Sequence, residues 1–274
     1  MFNQLEILSD EQSEKLYTIR RYIKNLESVC IAYSGGVDST LVTSLAFEQL
    51  GSKAIAITGI SPALSNTLRE EARRQAKWIG VRHLEIKTSE LEQSSYSKNP
   101  KDRCFACKKE LHKHTTYLSK KLNYELVLDG VNLDDLRDYR PGIQASKQAG
   151  VVSPLAKFKF SKQDIRDISR ALGFPWWDKP AQPCLSSRFP YGHEITSERL
   201  KMVEKAEEYL KECGLSEVRV RCQGSTARIE IPQDELKNFF NNYNFNELVQ
   251  YFSNLGFNCT SLDLEGLVSG KLNR

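Results

Sequence analysis

The chain has 274 residues, of which 40% are hydrophobic and 27% are charged, which is typical of an ordinary globular protein with one large or two modest domains. A net charge of +4 without a basic tail permits an anionic substrate but makes nucleic acid an unexpected partner. Neither a signal peptide nor an apolar run near the roughly 20 residues of a membrane span is visible. We therefore expect a cytoplasmic protein without membrane association, whose seven cysteines stay reduced.

The first half of the chain alternates predicted helices and strands, beginning with an amphipathic helix over 9–26. A buried strand starts at residue 29, and further strands are predicted over 54–59, 83–87 and 126–129. Such alternation predicts an α/β fold, a doubly wound parallel sheet with helices on both faces. Since ligands bind at the carboxyl ends of strands in these sheets, we expect a site along that edge.

A glycine-rich loop, Ser34-Gly35-Gly36-Val37-Asp38-Ser39, follows the first strand and opens a helix. Glycine permits backbone angles that a Cβ forbids, so loop and helix N–H groups can converge on one small volume that suits phosphate. A Walker A loop and a dinucleotide fingerprint are excluded, because neither Gly-Lys-Ser/Thr nor G-x-G-x-x-G is present. The loop resembles the SGGxDS loop of the PP-loop ATP pyrophosphatases, which cleave ATP between the α and β phosphates and leave an adenylated substrate.

This resemblance implies positions for the rest of ATP and for Mg²⁺. In the family, the segment after the second strand lies against adenine, and it corresponds here to Ile57, Thr58 and Ser61. Asp38 would lie near a bridging Mg²⁺, and the acidic segment that follows Gly130 offers further carboxylates. The alternative is that these segments only complete the sheet and form a solvated loop.

The rest of the chain predicts a second, smaller domain. We delimit the PP-loop domain as residues 1–175 and an α+β domain, with an antiparallel or mixed sheet, as 176–274. A proline-rich loop over 174–192 leads into the second domain, and a polar stretch over 91–100 predicts an exposed loop in the first. The second domain is predicted to contain helices over 196–213 and 233–252 and strands over 217–222, 227–231 and 258–263.

Three cysteines suggest metal chemistry. Cys104 and Cys107 form a C-x-x-C pair, and Cys184 lies in the proline-rich loop four residues before Arg188, a cation that favours a thiolate. Since four thiolates normally close an iron–sulfur cluster, three suggest a cluster with one open iron.

The C-x-x-C pair has two alternative interpretations. A zinc site would add His112 and His114, although their spacing is too short for a standard finger. A redox pair normally follows a sheet strand rather than a loop. The four other cysteines are interpreted as packing residues: Cys30, Cys213, Cys222 and Cys259.

Longer motifs make the resemblance more specific, and they cover Asp129–Asp135, Tyr139–Gly142, Trp177–Ala181, Cys184–Gly192 and Ala227–Glu230. On these motifs, and over nearly the whole chain, the sequence resembles the LarE family of ATP-dependent sulfur transferases. The family acts in making the nickel-pincer nucleotide cofactor of lactate racemase. It adenylates a carboxylate of pyridinium-3,5-biscarboxylic acid mononucleotide and converts it to a thiocarboxylate.

The resemblance also implies roles for the cysteines. In one branch of the family, a single cysteine matching Cys184 gives up its own sulfur and becomes dehydroalanine. In another branch, three cysteines matching Cys104, Cys107 and Cys184 hold a [4Fe-4S] cluster that carries the sulfur. Because all three are present, the cluster branch is predicted. A homo-oligomer is expected as well, since the family tends to form rings or larger assemblies.

Arginines of the second domain are candidate ligands for the mononucleotide. Arg188, Arg219, Arg221 and Arg228 are predicted to bind its phosphate and carboxylates, because a guanidinium fork suits such anions. Alternation along a strand puts Arg219 and Arg221 on one face, and Glu230 is expected to orient Arg228. Surface salt bridges are the alternative. Two further candidates for a metal or substrate contact are Glu207 and Glu208.

Three other functions fit parts of the sequence. A PP-loop tRNA thiolase would need a basic surface or a tRNA-binding module, and neither is evident. An amidating ligase of the NAD or GMP synthetase type would leave the three cysteines without a role. A zinc-stabilised nucleotide-binding module would bind zinc without iron or ATP turnover.

Overall fold

The computed structural model describes residues 2, 4–138, 140–268 and 270–271. The chain divides into two compact units, the first made of Met1–Glu90 and Asp102–Gln182 and the second of Leu91–Lys101 and Pro183–Arg274. Across the described ranges, no helix combines the length and the apolar character that spanning a membrane requires.

The strands in the described residues are β1 Val29–Ala32, β2 Ala54–Ile60, β3 Arg82–Lys87, β4 Leu126–Leu128, β5 Arg219–Gln223, β6 Thr226–Glu230 and β7 Cys259–Leu262. The α-helices are α1 Asp10–Lys24, α2 Val37–Leu50, α3 Asn66–Ile79, α4 Ser94–Ser97, α5 Arg103–Lys121, α6 Pro141–Gln148, α7 Pro154–Lys157, α8 Lys162–Ala171, α9 Ser197–Glu212, α10 Leu236–Asn242 and α11 Phe245–Leu255.

The first unit is built on a parallel sheet of order β3-β2-β1-β4. Alternate residues of the buried strand β1 point to opposite faces. Val29 and Ile31 pack with α1, α2 and α8, whereas Cys30 packs with Val127 and with Leu118 of α5. Helices therefore cover both faces, and the predicted doubly wound α/β fold is confirmed.

The second unit contains a mixed sheet, as predicted. Strands β5 and β6 form an antiparallel hairpin around Gly224, and β7 adds to β6 in parallel. Helix α9, capped by the Thr196 side chain, buries Leu200, Val203 and Leu210 at helical spacing. Apolar residues at this spacing give the unit a core of its own.

The predicted single helix over 233–252 is wrong. A 3₁₀ turn, Gln233–Glu235, and α10 end before Tyr243, which is extended with φ −102° and ψ 139°. The Asn244 side chain then accepts hydrogen bonds from the backbone N–H groups of Asn246 and Glu247 and starts α11. Asparagine is among the best N-cap residues, so it divides an otherwise continuous apolar periodicity.

The predicted exposed loop over 91–100 is only partly exposed and contains the short helix α4. Tyr96 and Asn99 are buried, at 2% and 0% exposure. The Tyr96 hydroxyl lies 2.6 Å from Ser186 Oγ, and Asn99 Nδ2 donates to the carbonyl oxygens of Phe189 and Pro190 at 3.2 and 2.7 Å. A polar stretch is thus ordered by partners about 90 residues away in sequence.

The four cysteines interpreted as packing residues divide into two pairs. Cys30 and Cys222 are buried, which confirms the interpretation for them. Cys213 and Cys259 are exposed, so it is wrong there. Cys213 lies just beyond the end of α9, and Cys259 opens the edge strand β7, where a side chain has less to pack against.

Candidate functional site

The glycine-rich loop of the first unit connects β1 to α2. Gly35 has φ +72°, in the left-handed region, and a Cβ there would lie 3.1 Å from the Cα of Ala72. The hydroxyl oxygens of Ser34 and Ser39 lie 3.1 Å apart, and Ser39 Oγ donates to the Gly36 carbonyl at 3.1 Å. The first N–H groups of a helix lack intrahelical partners and carry partial positive charge, so this end of α2 suits an anion.

Gly130, just beyond β4, lies directly against the same end of α2. A Cβ on Gly130 would lie 2.6 Å from the backbone N and 2.8 Å from the Cα of Ser39, and 3.1 Å from the carbonyl carbon of Asp38. The structure therefore brings Ser34, Gly35, Gly36, Ser39 and Gly130 together. A larger residue at 130 would displace this end of α2.

Asp38, in the first turn of α2, is half-buried among charged neighbours. Burial raises the pKa of its carboxyl group, while the cations of Lys162 and Arg140 oppose that rise and the Asp135 carboxylate adds to it. Arg140 and Lys162 were not among the site residues predicted from the sequence. The signal for Arg140 was its place in the Tyr139–Gly142 motif, and Lys162 gave no sequence signal.

Asp129 is a second carboxylate near the end of β4 and is only 2% exposed. Its Oδ1 accepts hydrogen bonds from Ser153 Oγ at 2.6 Å and from the Val131 N–H at 3.2 Å. Its Oδ2 is buried and has no hydrogen-bond partner among the described residues. Mg²⁺ binds through one or two carboxylates and leaves its other positions to water and phosphates, so Asp38 and Asp129 fit this ion.

Thr58 and Ser61, which are predicted to lie against adenine, make hydrogen bonds within the first unit. The Thr58 hydroxyl donates to the Tyr33 carbonyl at 2.8 Å and lies 2.8 Å from His83 Nε2, with Thr58 3% exposed. Burial lowers the pKa of His83. Ser61 Oγ accepts a hydrogen bond from the Ala63 N–H at 3.3 Å. The Thr58 hydroxyl thus fixes the end of β2 to the residue before the glycine-rich loop.

The C-x-x-C pair lies in the first turns of α5, with Cys104 exposed and Cys107 half-buried. His112, 0% exposed, places Nε2 2.8 Å from Ser146 Oγ, and His114 Nε2 lies 2.9 Å from Glu110 Oε1. Within 2, 4–138, 140–268 and 270–271, no three His, Cys, Asp or Glu side chains form a group that could hold a metal ion. The four-ligand zinc site is therefore not formed.

The same observation bears on the predicted iron–sulfur cluster. Cys104 and Cys107 belong to the first unit and Cys184 to the second, and the described side chains include no three-ligand group. The three-cysteine cluster therefore stays a prediction from the sequence.

Cys184 starts a 3₁₀ turn, Leu185–Arg188, in the second unit and is half-buried. Arg188, 7% exposed, donates from Nε and Nη2 to the Glu207 carboxylate at 2.7 and 3.0 Å and from Nη1 to the Pro183 carbonyl at 3.0 Å. Burial alone would lower the pKa of Arg188, but the Glu207 carboxylate holds it above the ordinary value. In this structure Arg188 therefore orders the turn that carries Cys184.

A second buried ion pair supports the same turn. Arg221 donates from Nη1 to the Ser187 carbonyl at 2.6 Å and from Nε to Glu230 Oε2 at 2.9 Å. Glu230, 0% exposed, also accepts from Arg228 at 3.2 Å, and Arg228 pairs with Asp263 at 3.3 Å. These arginines form specific ion pairs rather than loose surface bridges.

Arg219 differs from the three other arginines. It is half-buried on β5 and makes no ion pair or side-chain hydrogen bond within the part of the chain that is described. Burial lowers its pKa and the cations of Arg188 and Arg221 lower it further, whereas the carboxylates of Glu230 and Glu207 oppose this shift. A guanidinium without an ion-pair partner can bind an anion through charge-assisted hydrogen bonds.

Comparison with known proteins identifies the family. No protein-family model matches the chain. An uncharacterized protein of Synechocystis is 53% identical over 260 residues, covering 95% of this chain and 97% of its own. The pyridinium-3,5-bisthiocarboxylic acid mononucleotide synthase of Lactiplantibacillus plantarum is 34% identical over 94% of each chain. An uncharacterized protein of Methanocaldococcus jannaschii is 34% identical over 90% of this chain and 93% of its own. With such identity along nearly the full length of the synthase, the chain belongs to the LarE family.

Proposed function

We propose that the protein is an ATP-dependent sulfur transferase that adenylates a carboxylate of pyridinium-3,5-biscarboxylic acid mononucleotide and converts it to a thiocarboxylate. One observation carries the proposal. In a chain related over its length to a bisthiocarboxylic acid mononucleotide synthase, Gly130 lies against the end of α2 where a Cβ would be 2.6 Å from Ser39 N. That contact supports an anion pocket suited to the phosphates of ATP.

The first step activates the carboxylate. A carboxylate oxygen of the substrate attacks the α-phosphorus of ATP, an O–P bond forms, and the bond to the bridging oxygen breaks so that pyrophosphate leaves. N–H groups of the glycine-rich loop and of α2 stabilise the charge that develops on the phosphate oxygens. Asp38 and Asp129 would hold Mg²⁺, which when bound neutralises the phosphates.

The second step replaces oxygen by sulfur. A sulfur nucleophile attacks the acyl carbon, a C–S bond forms, and AMP leaves with the electron pair of the C–O bond. If Cys184 is the nucleophile, the product is first a thioester. Loss of its Cα proton to a base and cleavage of the Cβ–S bond then give the thiocarboxylate and dehydroalanine. Arg188 and Arg221 support this route because both bind carbonyl oxygens of the turn that carries Cys184.

The alternative carrier, a [4Fe-4S] cluster on Cys104, Cys107 and Cys184, remains a prediction from the sequence. Its support is the presence of all three cysteines in the sequence. The adenylation step is independent of which carrier is used. Assembly into a homo-oligomer likewise remains a prediction, which sedimentation would test.

Arg219 is proposed to bind an anionic group of the mononucleotide. Its guanidinium is half-buried and lacks a protein carboxylate partner among the described residues, unlike those of Arg188, Arg221 and Arg228. Charge-assisted hydrogen bonds to a phosphate contribute about 1.5–3 kcal/mol each. Arg219→Gln is therefore expected to raise the KM for the mononucleotide while the affinity for ATP stays unchanged.

The proposal is tested with ATP, Mg²⁺ and the biscarboxylic mononucleotide under reducing, anaerobic conditions. We expect release of AMP and pyrophosphate that depends on the mononucleotide, and a thiocarboxylate product by mass spectrometry. Cys184→Ala should keep pyrophosphate release and lose the thiocarboxylate. Formation of ADP, or pyrophosphate release that ignores the mononucleotide, would refute the adenylation step.

A second experiment identifies the sulfur carrier. Iron and sulfide are measured after anaerobic purification of the wild type, of Cys104→Ala, and of Cys259→Ala as an exposed-cysteine control. Iron that is lost only in Cys104→Ala supports the cluster. Absence of iron from the wild type, with a loss of about 34 Da (one H₂S) at Cys184 after turnover, supports the sacrificial route.

A further inference from the structure

The glycine-rich loop contains no cation to balance the phosphates that it is proposed to bind. Its residues, Ser34–Ser39, supply hydroxyls, N–H groups and one carboxylate. The pyrophosphate that leaves in the proposed reaction carries several negative charges. Backbone dipoles and one divalent ion neutralise only part of them, so further cations at this end of α2 would stabilise the leaving group. This inference rests on the proposed function.

Two basic residues, Arg140 and Lys162, contact the segment that follows Gly130. Gly130 touches Ser39, and the acidic residues that follow it hold one basic residue each. Asp134 Oδ2 accepts a hydrogen bond from the Lys162 backbone N–H at 2.7 Å, at the first residue of α8. Asp135 Oδ1 lies 2.8 Å from Arg140 Nη1, just before α6.

We propose that Arg140 and Lys162 bind the pyrophosphate portion of ATP and stabilise it as the leaving group. Asp134 and Asp135, on the segment that follows Gly130, fix the positions of Lys162 and Arg140. The electrostatic influence of both cations on Asp38, in the first turn of α2, agrees with this placement.

The contacts that Arg140 and Lys162 make in this structure leave both side chains able to bind phosphate. The Arg140 side chain is 44% exposed, and Lys162 is exposed, with its backbone N–H bound to Asp134 and no ion pair of its side chain among the described residues. Asp135 is buried and holds one end of the Arg140 guanidinium, whereas the exposed pair of Arg140 with Asp138, 3.6 Å apart, contributes only about 0–1 kcal/mol. A guanidinium bound to phosphate gains more than that, since a hydrogen bond between charged groups contributes about 1.5–3 kcal/mol. Arg140 can therefore exchange Asp138 for phosphate when ATP binds, while Asp135 keeps it in place.

The test compares ligands that contain and lack the pyrophosphate portion. Calorimetry gives the dissociation constants of Mg-ATP, inorganic pyrophosphate with Mg²⁺, and AMP for the wild type, Arg140→Gln and Lys162→Gln. We expect each variant to bind Mg-ATP and pyrophosphate about tenfold to a hundredfold more weakly, with AMP affinity unchanged. Arg140→Lys should recover part of the loss, and Lys147→Gln, an exposed charge on α6, should behave as wild type.

The outcomes separate this inference from the proposed function. If the wild type binds Mg-ATP and both glutamine variants bind pyrophosphate as tightly as it does, the role of Arg140 and Lys162 is wrong while adenylation stands. If the variants weaken AMP equally, the residues act on the fold of the pocket and the inference is again wrong. If the wild type binds no Mg-ATP, the proposed function fails and this inference with it.

Discussion

The two units position their candidate residues by different physical means. In the first, the glycine-rich loop is made by backbone conformation within six residues and by one close approach of Gly130. In the second, the Cys184 turn is held by buried charges, since Arg188 binds Glu207 and Arg221 binds both Ser187 and Glu230. Those partners are 19, 34 and 9 residues apart in the sequence.

The difference predicts which changes each unit tolerates. A site made by backbone N–H groups and close contacts withstands the loss of a distant charge but not an added Cβ. A turn held by buried guanidinium groups depends on every carboxylate that compensates them, because an unpaired buried charge is costly. Mutations can therefore damage one unit and leave the other intact.

The largest effect is expected from Glu207→Ala. This change leaves the guanidinium of Arg188 buried without its carboxylate, and it removes the acceptor, 2.9 Å away, of the Val220 N–H. Breaking a buried pair costs about 3–5 kcal/mol, so the second unit should unfold at much lower denaturant concentration. Calorimetry with Mg-ATP should show that the first unit still binds nucleotide.

The adjacent residue provides the control for that prediction. Glu208 is half-buried on α9, and burial together with the neighbouring carboxylates of Glu204 and Glu212 raises its pKa. Glu208→Ala removes an unfavourably placed charge and should leave the unfolding midpoint unchanged or slightly higher. Equal destabilisation by the two substitutions would show that the Arg188 pair is not what holds the second unit.

Parts of the fold that depend on interactions between residues close in the sequence could be predicted, and parts that depend on distant residues could not. Strands β1 to β4 were predicted because their apolar runs and turn residues are local signals. The burial of Tyr96 and Asn99 was not, since their partners lie about 90 residues away. The helix break at Asn244 was missed because the apolar spacing continues across it.

In the candidate site too, the features made by neighbouring residues were predicted and those made by distant residues were not. The motif from Ser34 to Ser39 gave the phosphate loop from six consecutive residues. Arg188 and Glu207 were each predicted as site residues, but no pattern in the sequence indicated that they bind each other. The charge of Lys162 near Asp38 depends on the fold of the first unit, which brings the start of α8 beside the segment that follows β4.

The next largest effect is expected from Gly130→Ala, which tests the backbone-made site. The added Cβ meets Ser39 N at 2.6 Å, where backbone rather than a flexible side chain must move. Overpacking of this kind costs about 1–3 kcal/mol, so Mg-ATP affinity should fall about tenfold to a hundredfold. Gly150→Ala is the control, because its Cβ meets nothing within 4 Å although φ is +71°. It should lower stability and leave ATP affinity unchanged.

A pH effect of about 2 kcal/mol is expected from His112 in the first unit. Burial lowers the pKa of His112 to about 3, from an ordinary value of 6.5. The unfolded chain then binds more protons than the folded one below pH 6.5, so stability is full above that value and is lost as pH falls toward 3. At pH 5 this group alone lowers the free energy of unfolding by about 2 kcal/mol.

Denaturant unfolding at pH 7, 6 and 5 measures this dependence. His112→Gln should weaken the pH dependence of the free energy of unfolding. An unchanged slope in His112→Gln would show that His112 is not what makes the folded state sensitive to acid.

The smallest effect is expected from Asn244→Ala, which removes the N-cap of α11 in the second unit. The Asn244 side chain caps α11 through two N–H groups at 3.2 and 3.4 Å, and its loss costs about 1 kcal/mol. Asn246→Ala, at an exposed position in the first turn of α11, is the matched control and should change the unfolding midpoint little. Because the cap is local, Asn244→Ala should leave turnover of bound substrate unchanged while Glu207→Ala abolishes it. If Asn244→Ala impaired turnover as strongly, the second unit would depend on its backbone as the first does, and the contrast between the units would be lost.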